Sequence, residues 1–137
     1  NRIIFTGRVA HAEYLAKLRM ADVFLDNFPY NCGSTTRDAA NASLPLVTMH
    51  GKTMVSRMGL SIQKALGAAN LIADTEHGYV KIVLDLSNDR EICRELKQTI
   101  KRNLETYQAA PVRMTYQLES QLTNLVSSTK SNTFGNN

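Results

Sequence analysis

The sequence predicts an α/β fold in which a parallel sheet is flanked by helices. Short β-branched runs alternate with helix-forming segments, and turn residues separate the two. With 137 residues, 43% of them apolar, the chain is long enough for one hydrophobic core. Strands that alternate with helices form a Rossmann-like sheet, and its ligands bind beyond the carboxyl ends of the strands. The fold class therefore predicts where a site lies.

Four short apolar runs are the predicted strands. They cover residues 3–6, 22–26, 46–49 and 70–73, and glycine, proline or polar residues follow each of them. The first, from Ile3 to Thr6, is β-branched or aromatic throughout, which predicts a strand buried on both faces. The loops after the first three strands, residues 6–11, 27–36 and 50–53, are expected to meet at one edge of the sheet.

Helices are predicted between and after these strands. The first covers His11 to Met20, and a short one begins near Ser34, where hydroxyl groups and the carboxylate of Asp38 favour a first turn. Further helices are predicted over residues 54–66, 75–86, 89–107 and 111–126. Gly67 lies where glycine commonly ends a helix. We predict one domain with C-terminal helices over residues 1–126 and a polar tail over residues 127–137.

Charge and cysteine content narrow the class of protein. The net charge of +4 comes from residues 1–64, which hold eight basic and four acidic residues, whereas the remaining residues balance. Without a basic stripe or a nucleic-acid motif, this distribution does not predict a nucleic-acid partner. Cys32 and Cys93 form no Cys-x-x-Cys motif, which favours a reducing compartment.

The apolar runs and the first residues of the chain indicate whether it contacts a membrane and whether it is part of a longer protein. No apolar run approaches the roughly 20 residues of a membrane span, so no membrane partner is predicted. The chain opens at Asn1 directly into an apolar run with no signal peptide, which we expect of a fragment of a longer protein.

The loop before the short second helix is the strongest candidate site. Gly33, Ser34 and Thr35 would place backbone N–H groups and hydroxyls at a helix N-terminus, which suits a phosphate, although an ordinary helix cap has the same composition. Asp38 suits either a ribose or the helix dipole. Tyr14 suits either stacking on a base or packing in the core.

Other chemistries find less support in the same loops. His11, Cys32 and His50 fall in the three predicted edge loops, but their spacing matches no metal motif, so no metal is predicted. A Gly-x-Ser-x-Gly sequence, which serine hydrolases of α/β fold use, does not occur.

With these residues in place, the chain resembles the C-terminal, nucleotide-binding half of GT-B glycosyltransferases of the O-GlcNAc transferase and SPINDLY type. The segments that carry the resemblance are Arg2–Phe5, Ala21–Asp26, Asn31–Asp38, Leu44–Gly51, Ser56–Arg57 and Leu71–Ala73. The resemblance implies a Rossmann-like domain of a metal-independent, inverting protein O-glycosyltransferase.

The resemblance implies a diphosphate site in the loop before the second helix. The family motif His-Thr-Thr-x-x-Asp supplies hydroxyls and helix N–H groups to the diphosphate, and its Asp binds the ribose. Ser34, Thr35 and Asp38 match this motif, whereas Gly33 replaces its histidine.

The resemblance also implies a base site at the first helix. The family's Lys-x-x-His pair falls on His11 and Tyr14, and the backbone around Val9 falls where the base edge is bound. Tyr14 can stack on a base, and His11 carries a positive charge for part of the time near neutral pH. The implied donor is UDP-GlcNAc. GDP-fucose, as in a protein O-fucosyltransferase, and UDP-glucose, as in an N- or O-glucosyltransferase, stay open.

The family's acceptor site, general base and TPR repeats lie in an N-terminal part that these residues do not contain. We therefore expect no catalytic residue in this chain, little activity from it alone, and a protein acceptor bound elsewhere. The departures at His11 and Gly33 leave open a catalytically inactive nucleotide-binding or protein-interaction module. The expected location is the cytoplasm or the nucleus.

Overall fold

The computed structural model describes residues 2–108 and 110–133. Its helices are α1 (His11–Met20), α2 (Ser34–Asn41), α3 (Met58–Ala65), α4 (Glu76–Asn88), α5 (Arg90–Gln108) and α6 (Ala110–Thr133). Its strands are β1 (Phe24–Leu25), β2 (Leu46–Met49) and β3 (Ile72–Ala73), and 3-10 turns cover Val55–Arg57 and Ala69–Leu71. The predicted α/β class is confirmed, and the helix His11–Met20 and the strand 46–49 have the predicted bounds.

The three strands form a parallel sheet in the order β1, β2, β3. Phe24 is paired with Leu46, and Thr48 is paired with Ile72. All four residues of the central strand β2 are buried, because helices α3 and α4 both pack against it. All three strands run in the same direction, so their carboxyl ends and the loops that follow them lie at one edge.

The core lies between this sheet and its helices. Leu46, Val47, Leu66, Leu71 and Ile100 are all 2% exposed or less. Gly67 ends α3 with a φ of 71°, as predicted for a glycine at this position. The Thr75 hydroxyl caps α4 by accepting a hydrogen bond from the Gly78 amide at 3.1 Å. These local signals explain where the helices around the core begin and end.

The predicted first strand is wrong. Residues 2–10 have no regular secondary structure, and Ile3, Ile4 and Phe5 are 73%, 81% and 94% exposed. β1 pairs with β2 on one side, and no described residue pairs with its other side. A β-branched run becomes a buried strand only when a neighbouring strand and a covering layer are available, so propensity alone does not determine the outcome.

The chain divides into two compact units, residues 1–104 and residues 105–137. The first contains the sheet and α1 to α4. In the second, α6 is a long helix with exposed apolar side chains that include Met114, Leu118 and Leu122. The boundary predicted at residue 126 stays a prediction. No helix within the described residues is long and apolar enough to cross a membrane.

Candidate functional site

The loop between β1 and α2 is held by a buried carboxylate. Asp26 directly follows β1 and is 6% exposed. One of its oxygens accepts hydrogen bonds from the backbone N–H groups of Asn27 and Cys32 at 2.9 and 2.7 Å. Its other oxygen accepts a hydrogen bond from the Thr48 hydroxyl at 2.7 Å. The backbone immediately before α2 is therefore anchored to the ends of β1 and β2.

Asn31 fixes the middle of the same loop. Its side chain is fully buried and donates hydrogen bonds to the carbonyls of Asn27 at 2.8 Å and Met49 at 3.2 Å. Its backbone N–H donates to the carbonyl of Val55 at 3.0 Å. The loop is thus tied to β2 and to the turn before α3.

The N-terminus of α2 is open. Gly33 is the cap residue, and no described side chain forms a capping hydrogen bond with the first N–H groups of the helix. The expectation that hydroxyls cap this helix is wrong, because the Thr36 hydroxyl instead donates backwards to the carbonyl of Cys32. Ser34 is exposed, so its hydroxyl and the helix N–H groups are accessible to an anion.

Asp38 lies in the second turn of α2, since the helix begins at Ser34 and its first turn contains no acidic residue. The prediction of a first-turn carboxylate is therefore wrong. Because the dipole acts mainly within the first turn, Asp38 contributes little as its complement. The structure therefore gives little support to the alternative that Asp38 serves the helix dipole.

Tyr14 brings α1 and α2 together at this point. Burial raises the pKa of its phenol, the charge of Asp38 raises that pKa further, and the nearby Thr35 side chain lowers it. Tyr14 also packs against the core cluster that contains Leu18 and Ala39. Tyr14 of the first helix is therefore a neighbour of Thr35 and Asp38, which were predicted from a different segment.

A cavity of about 410 Å³ lies beside the first helix. It is lined by Thr6, Gly7, Arg8, Val9, His11, Tyr14 and Lys17. The rings of His11 and Tyr14 are 6.0 Å apart and inclined by 33°. The backbone groups of Val9 make no hydrogen bond to any described residue, so they are free to bind a polar edge. Tyr14 is common to this cavity and to the cluster at α2.

Gly33 has a neighbour that fills the space beside it. A Cβ atom at position 33 would lie 2.7 Å from the terminal methyl of Met58, the first residue of α3. A histidine at this position would therefore require Met58 to move. The departure from the family motif at Gly33 is matched by a side chain from another helix.

His50 and Asp74 form a pair at the carboxyl edge. The His50 ring lies 2.6 Å from the carboxylate of Asp74, which joins the ends of β2 and β3. No group of three or more His, Cys, Asp or Glu side chains in the described parts of the chain is arranged to hold a metal ion. A cavity of about 610 Å³ near Asp22 and Leu86 is larger, but it lies at the amino end of β1, away from the edge where ligands of parallel sheets bind.

Sequence reasoning missed Asp26 and Asn31, whose polar groups shape the loop. The available signal was that both are polar residues between a predicted buried strand and a predicted helix start. A polar side chain in such a position is either solvated or bonded to backbone, and only the latter makes it structural.

The fold defines an α/β domain of the Rossmann-like class, with polar loops at the carboxyl edge of a parallel sheet. The chain belongs to glycosyl transferase family 41, whose model matches residues 1–117. This membership confirms the resemblance noted in the sequence.

Relatives of the chain agree with this family. A probable UDP-N-acetylglucosamine--peptide N-acetylglucosaminyltransferase SPINDLY from Hordeum vulgare is 32% identical over 89 residues, which are 65% of this chain and 9% of that protein. A UDP-N-acetylglucosamine--peptide N-acetylglucosaminyltransferase from Caenorhabditis elegans is 34% identical over 91 residues, 66% of this chain and 8% of that protein. The chain thus spans less than a tenth of the length of these relatives.

A solved structure also resembles the chain. A mutant of the Thermobaculum terrenum O-GlcNAc transferase superposes with a TM-score of 0.69 and 28% identity, over 72% of this chain and 19% of that one. The likeness supports a GT-B-type glycosyltransferase fold. The roles of Val9, His11, Tyr14, Gly33, Ser34, Thr35 and Asp38 stay predictions.

Proposed function

We propose that this chain is the donor-binding part of an inverting protein O-glycosyltransferase that uses UDP-GlcNAc. The observation that carries the proposal is the open N-terminus of α2, where no described side chain caps the helix and where Tyr14, Thr35 and Asp38 lie together. Helix N–H groups and hydroxyls are suited to a diphosphate, and a carboxylate one turn further on is suited to a ribose.

The proposed chemistry is stabilisation of the leaving group. Negative charge develops on the nucleoside diphosphate as the sugar departs, and donors already positioned for it lower the barrier. The N–H groups at the start of α2, with Ser34 and Thr35, would serve as these donors. The base would lie in the cavity beside α1, against Tyr14 and the free backbone groups of Val9.

The proposed donor follows the names of the relatives from Hordeum vulgare and Caenorhabditis elegans, which specify UDP-N-acetylglucosamine. The protein acceptor, the general base and the TPR region would belong to the rest of the protein. The chain alone would then have little transferase activity. We also place the protein in the cytoplasm or nucleus, in keeping with its two free cysteines, and microscopy of a tagged protein would test this.

A second candidate is a nucleotide-binding module without catalysis. Gly33 favours it, because the family's histidine is absent and the Met58 methyl lies only 2.7 Å from the position that its Cβ would take. Binding of a sugar nucleotide without turnover of it by the full-length protein would support this candidate against the first.

Calorimetric titration of the full-length protein with UDP, GDP, UDP-GlcNAc, GDP-fucose and UDP-glucose tests the proposal. We expect UDP-GlcNAc to bind more tightly than the other two sugar nucleotides. Thr35→Ala and Asp38→Ala should each weaken binding by about 1 to 3 kcal/mol, the range for a lost hydrogen bond including those to charged groups.

Two matched controls are available on α4. Ser87→Ala removes an exposed hydroxyl that bonds within its own helix, and Asp85→Ala removes an exposed carboxylate paired with Lys81. Both should leave the affinity unchanged. If none of the five nucleotides binds, the proposed function is wrong. If they bind and the α2 substitutions have no more effect than the controls, the site lies elsewhere.

A further inference from the structure

We propose that Asp26 is a positioning residue for the diphosphate site. It holds the backbone before α2 in the conformation that opens the helix N-terminus to a phosphate. The inference rests on the proposed function, because it assigns a role within the same site. Asp26 is not among the predicted binding residues. It lies at the end of β1 and is almost fully buried.

Both oxygens of the Asp26 carboxylate accept hydrogen bonds. Three donors converge on its two oxygens, namely the amides of Asn27 and Cys32 on one and the Thr48 hydroxyl on the other. The ion pairs among the described residues involve other carboxylates, so this charge is stabilised by neutral donors. A carboxylate bonded in this way can fix backbone more firmly than a neutral acceptor, since charge-assisted hydrogen bonds are the stronger ones.

The path from Asp26 to the helix is short. Its oxygen binds the amide of Cys32, the residue directly before the cap Gly33. The carbonyl of Cys32 accepts the hydrogen bond from the Thr36 hydroxyl in the first turn. Both backbone groups of Cys32 are therefore held. Its N–H is bonded to Asp26 at the end of β1, and its carbonyl is bonded to Thr36 in α2. Asn31, the residue before Cys32, is held independently, because its side chain donates to the Met49 carbonyl in β2.

This arrangement predicts an effect confined to the phosphate. The base cavity is lined by residues 6–17 of another segment, which Asp26 does not contact through any hydrogen bond in the described residues. Loss of the carboxylate should therefore weaken the binding of a nucleoside diphosphate much more than the binding of the corresponding nucleoside. A general loss of packing would weaken both to the same extent.

The test compares UDP with uridine, or GDP with guanosine if the wild type prefers guanine, by calorimetry on the full-length protein. We expect Asp26→Ala to weaken the diphosphate about tenfold, which corresponds to about one lost hydrogen bond to a charged group. The nucleoside should change by less than about twofold, well under 1 kcal/mol. Asp26→Asn should restore most of the affinity, because its amide oxygen can still accept from Cys32 and its NH₂ group can donate to Thr48.

The matched control is Gln63→Ala at the opposite end of β2. Gln63 is 1% exposed, and its side-chain amide donates to the carbonyl of Leu46, so its loss also removes a buried polar bond from the sheet. It should lower the melting temperature without changing the ratio of the two affinities. If Asp26→Ala does not fold, Asp26→Ser removes the same acceptor pair and is expected to give the same ratio.

Each outcome decides the question. A selective loss of diphosphate affinity that Asp26→Asn rescues supports the inference. An equal loss for nucleotide and nucleoside, no loss, or a selective loss in Gln63→Ala as well would overturn it while leaving the proposed function in place. If the wild-type protein binds neither UDP nor GDP, the proposed function fails, and the inference fails with it.

Discussion

Gly59→Ala is the substitution for which the structure gives the sharpest expectation. Gly59 is the second residue of α3 and is buried where this helix crosses the ends of β1 and β2. A Cβ atom at this position would lie 2.5 Å from the carboxylate oxygen of Asp26 that binds Thr48, and 2.9 Å from the Cβ of Thr48. Real Cβ atoms do not approach so closely, so either α3 or the Asp26–Thr48 hydrogen bond has to shift.

Two effects of opposite sign determine the size of the change. Alanine in place of glycine favours a helix by about 1 kcal/mol. Overpacking of a filled site costs about 1 to 3 kcal/mol, and a displaced hydrogen bond to a buried carboxylate costs about 1.5 to 3 kcal/mol more. The costs exceed the gain, and we expect a net destabilisation of about 1.5 to 5 kcal/mol. In a compact unit of this size, that lowers the melting temperature by roughly 10 °C or more.

Thermal and urea unfolding, followed by circular dichroism, measure this change. Gly78→Ala is the matched control, because Gly78 is also a helical glycine but an added Cβ would have no heavy atom nearer than 3.3 Å. The control should be neutral or stabilising by up to about 1 kcal/mol. If Gly59→Ala proved as stable as Gly78→Ala, α3 would not approach the Asp26 carboxylate as closely as the structure has it.

Four further outcomes are expected from single sites. Gly67→Ala should destabilise the fold by about 1 to 2 kcal/mol in urea unfolding, because its φ is 71°. Ser43→Gly should stabilise it by about 1 kcal/mol in the same assay, since a non-glycine residue has a φ of 55° there. Burial, then Asp26 and Cys32, raise the pKa of Tyr79 above its ordinary 10.0, so the folded state holds this proton more tightly. Its contribution to stability is full below pH 10.0 and is lost at higher pH, and Tyr79→Phe should make the alkaline loss smaller. Burial and Asp26 raise the pKa of the Cys32 thiol, so iodoacetamide should alkylate it slowly at neutral pH by mass spectrometry, and faster in Asp26→Asn.

Local signals in the sequence were sufficient for most of the fold. The helix His11–Met20, the strand 46–49 and the glycine that ends α3 follow from periodicity, β-branched composition and turn chemistry, which act over a few residues. The run from Ile3 to Thr6 has the same composition, yet residues 2–10 form no strand. The difference is not local, because a strand exists only through its neighbours.

The same limit applies to the candidate site. Gly33, Ser34, Thr35 and Asp38 lie within six consecutive residues, and their spacing suggested a helix start that the structure contains. Which of their groups remain free could not be predicted, because that depends on the partner of the Thr36 hydroxyl and on the position of Asp38 relative to the first turn. A hydroxyl at a helix start can cap, bond backwards or stay open, and only the folded backbone distinguishes these outcomes.

The buried carboxylate of Asp26 explains why this loop can leave its helix uncapped. A helix end without capping side chains loses stability, by about 1 kcal/mol for a typical missing cap. Here the backbone before the helix is held by two buried side chains instead. Asp26 accepts a hydrogen bond from the Cys32 N–H, and Asn31 donates one to β2. Stability is thereby supplied by groups that face the core, and the N–H groups of Ser34 and Thr35 have no hydrogen-bond partner among the residues that the structure describes. A site that binds an anion needs this separation, because a side chain that capped the helix would occupy the position that the anion has to take.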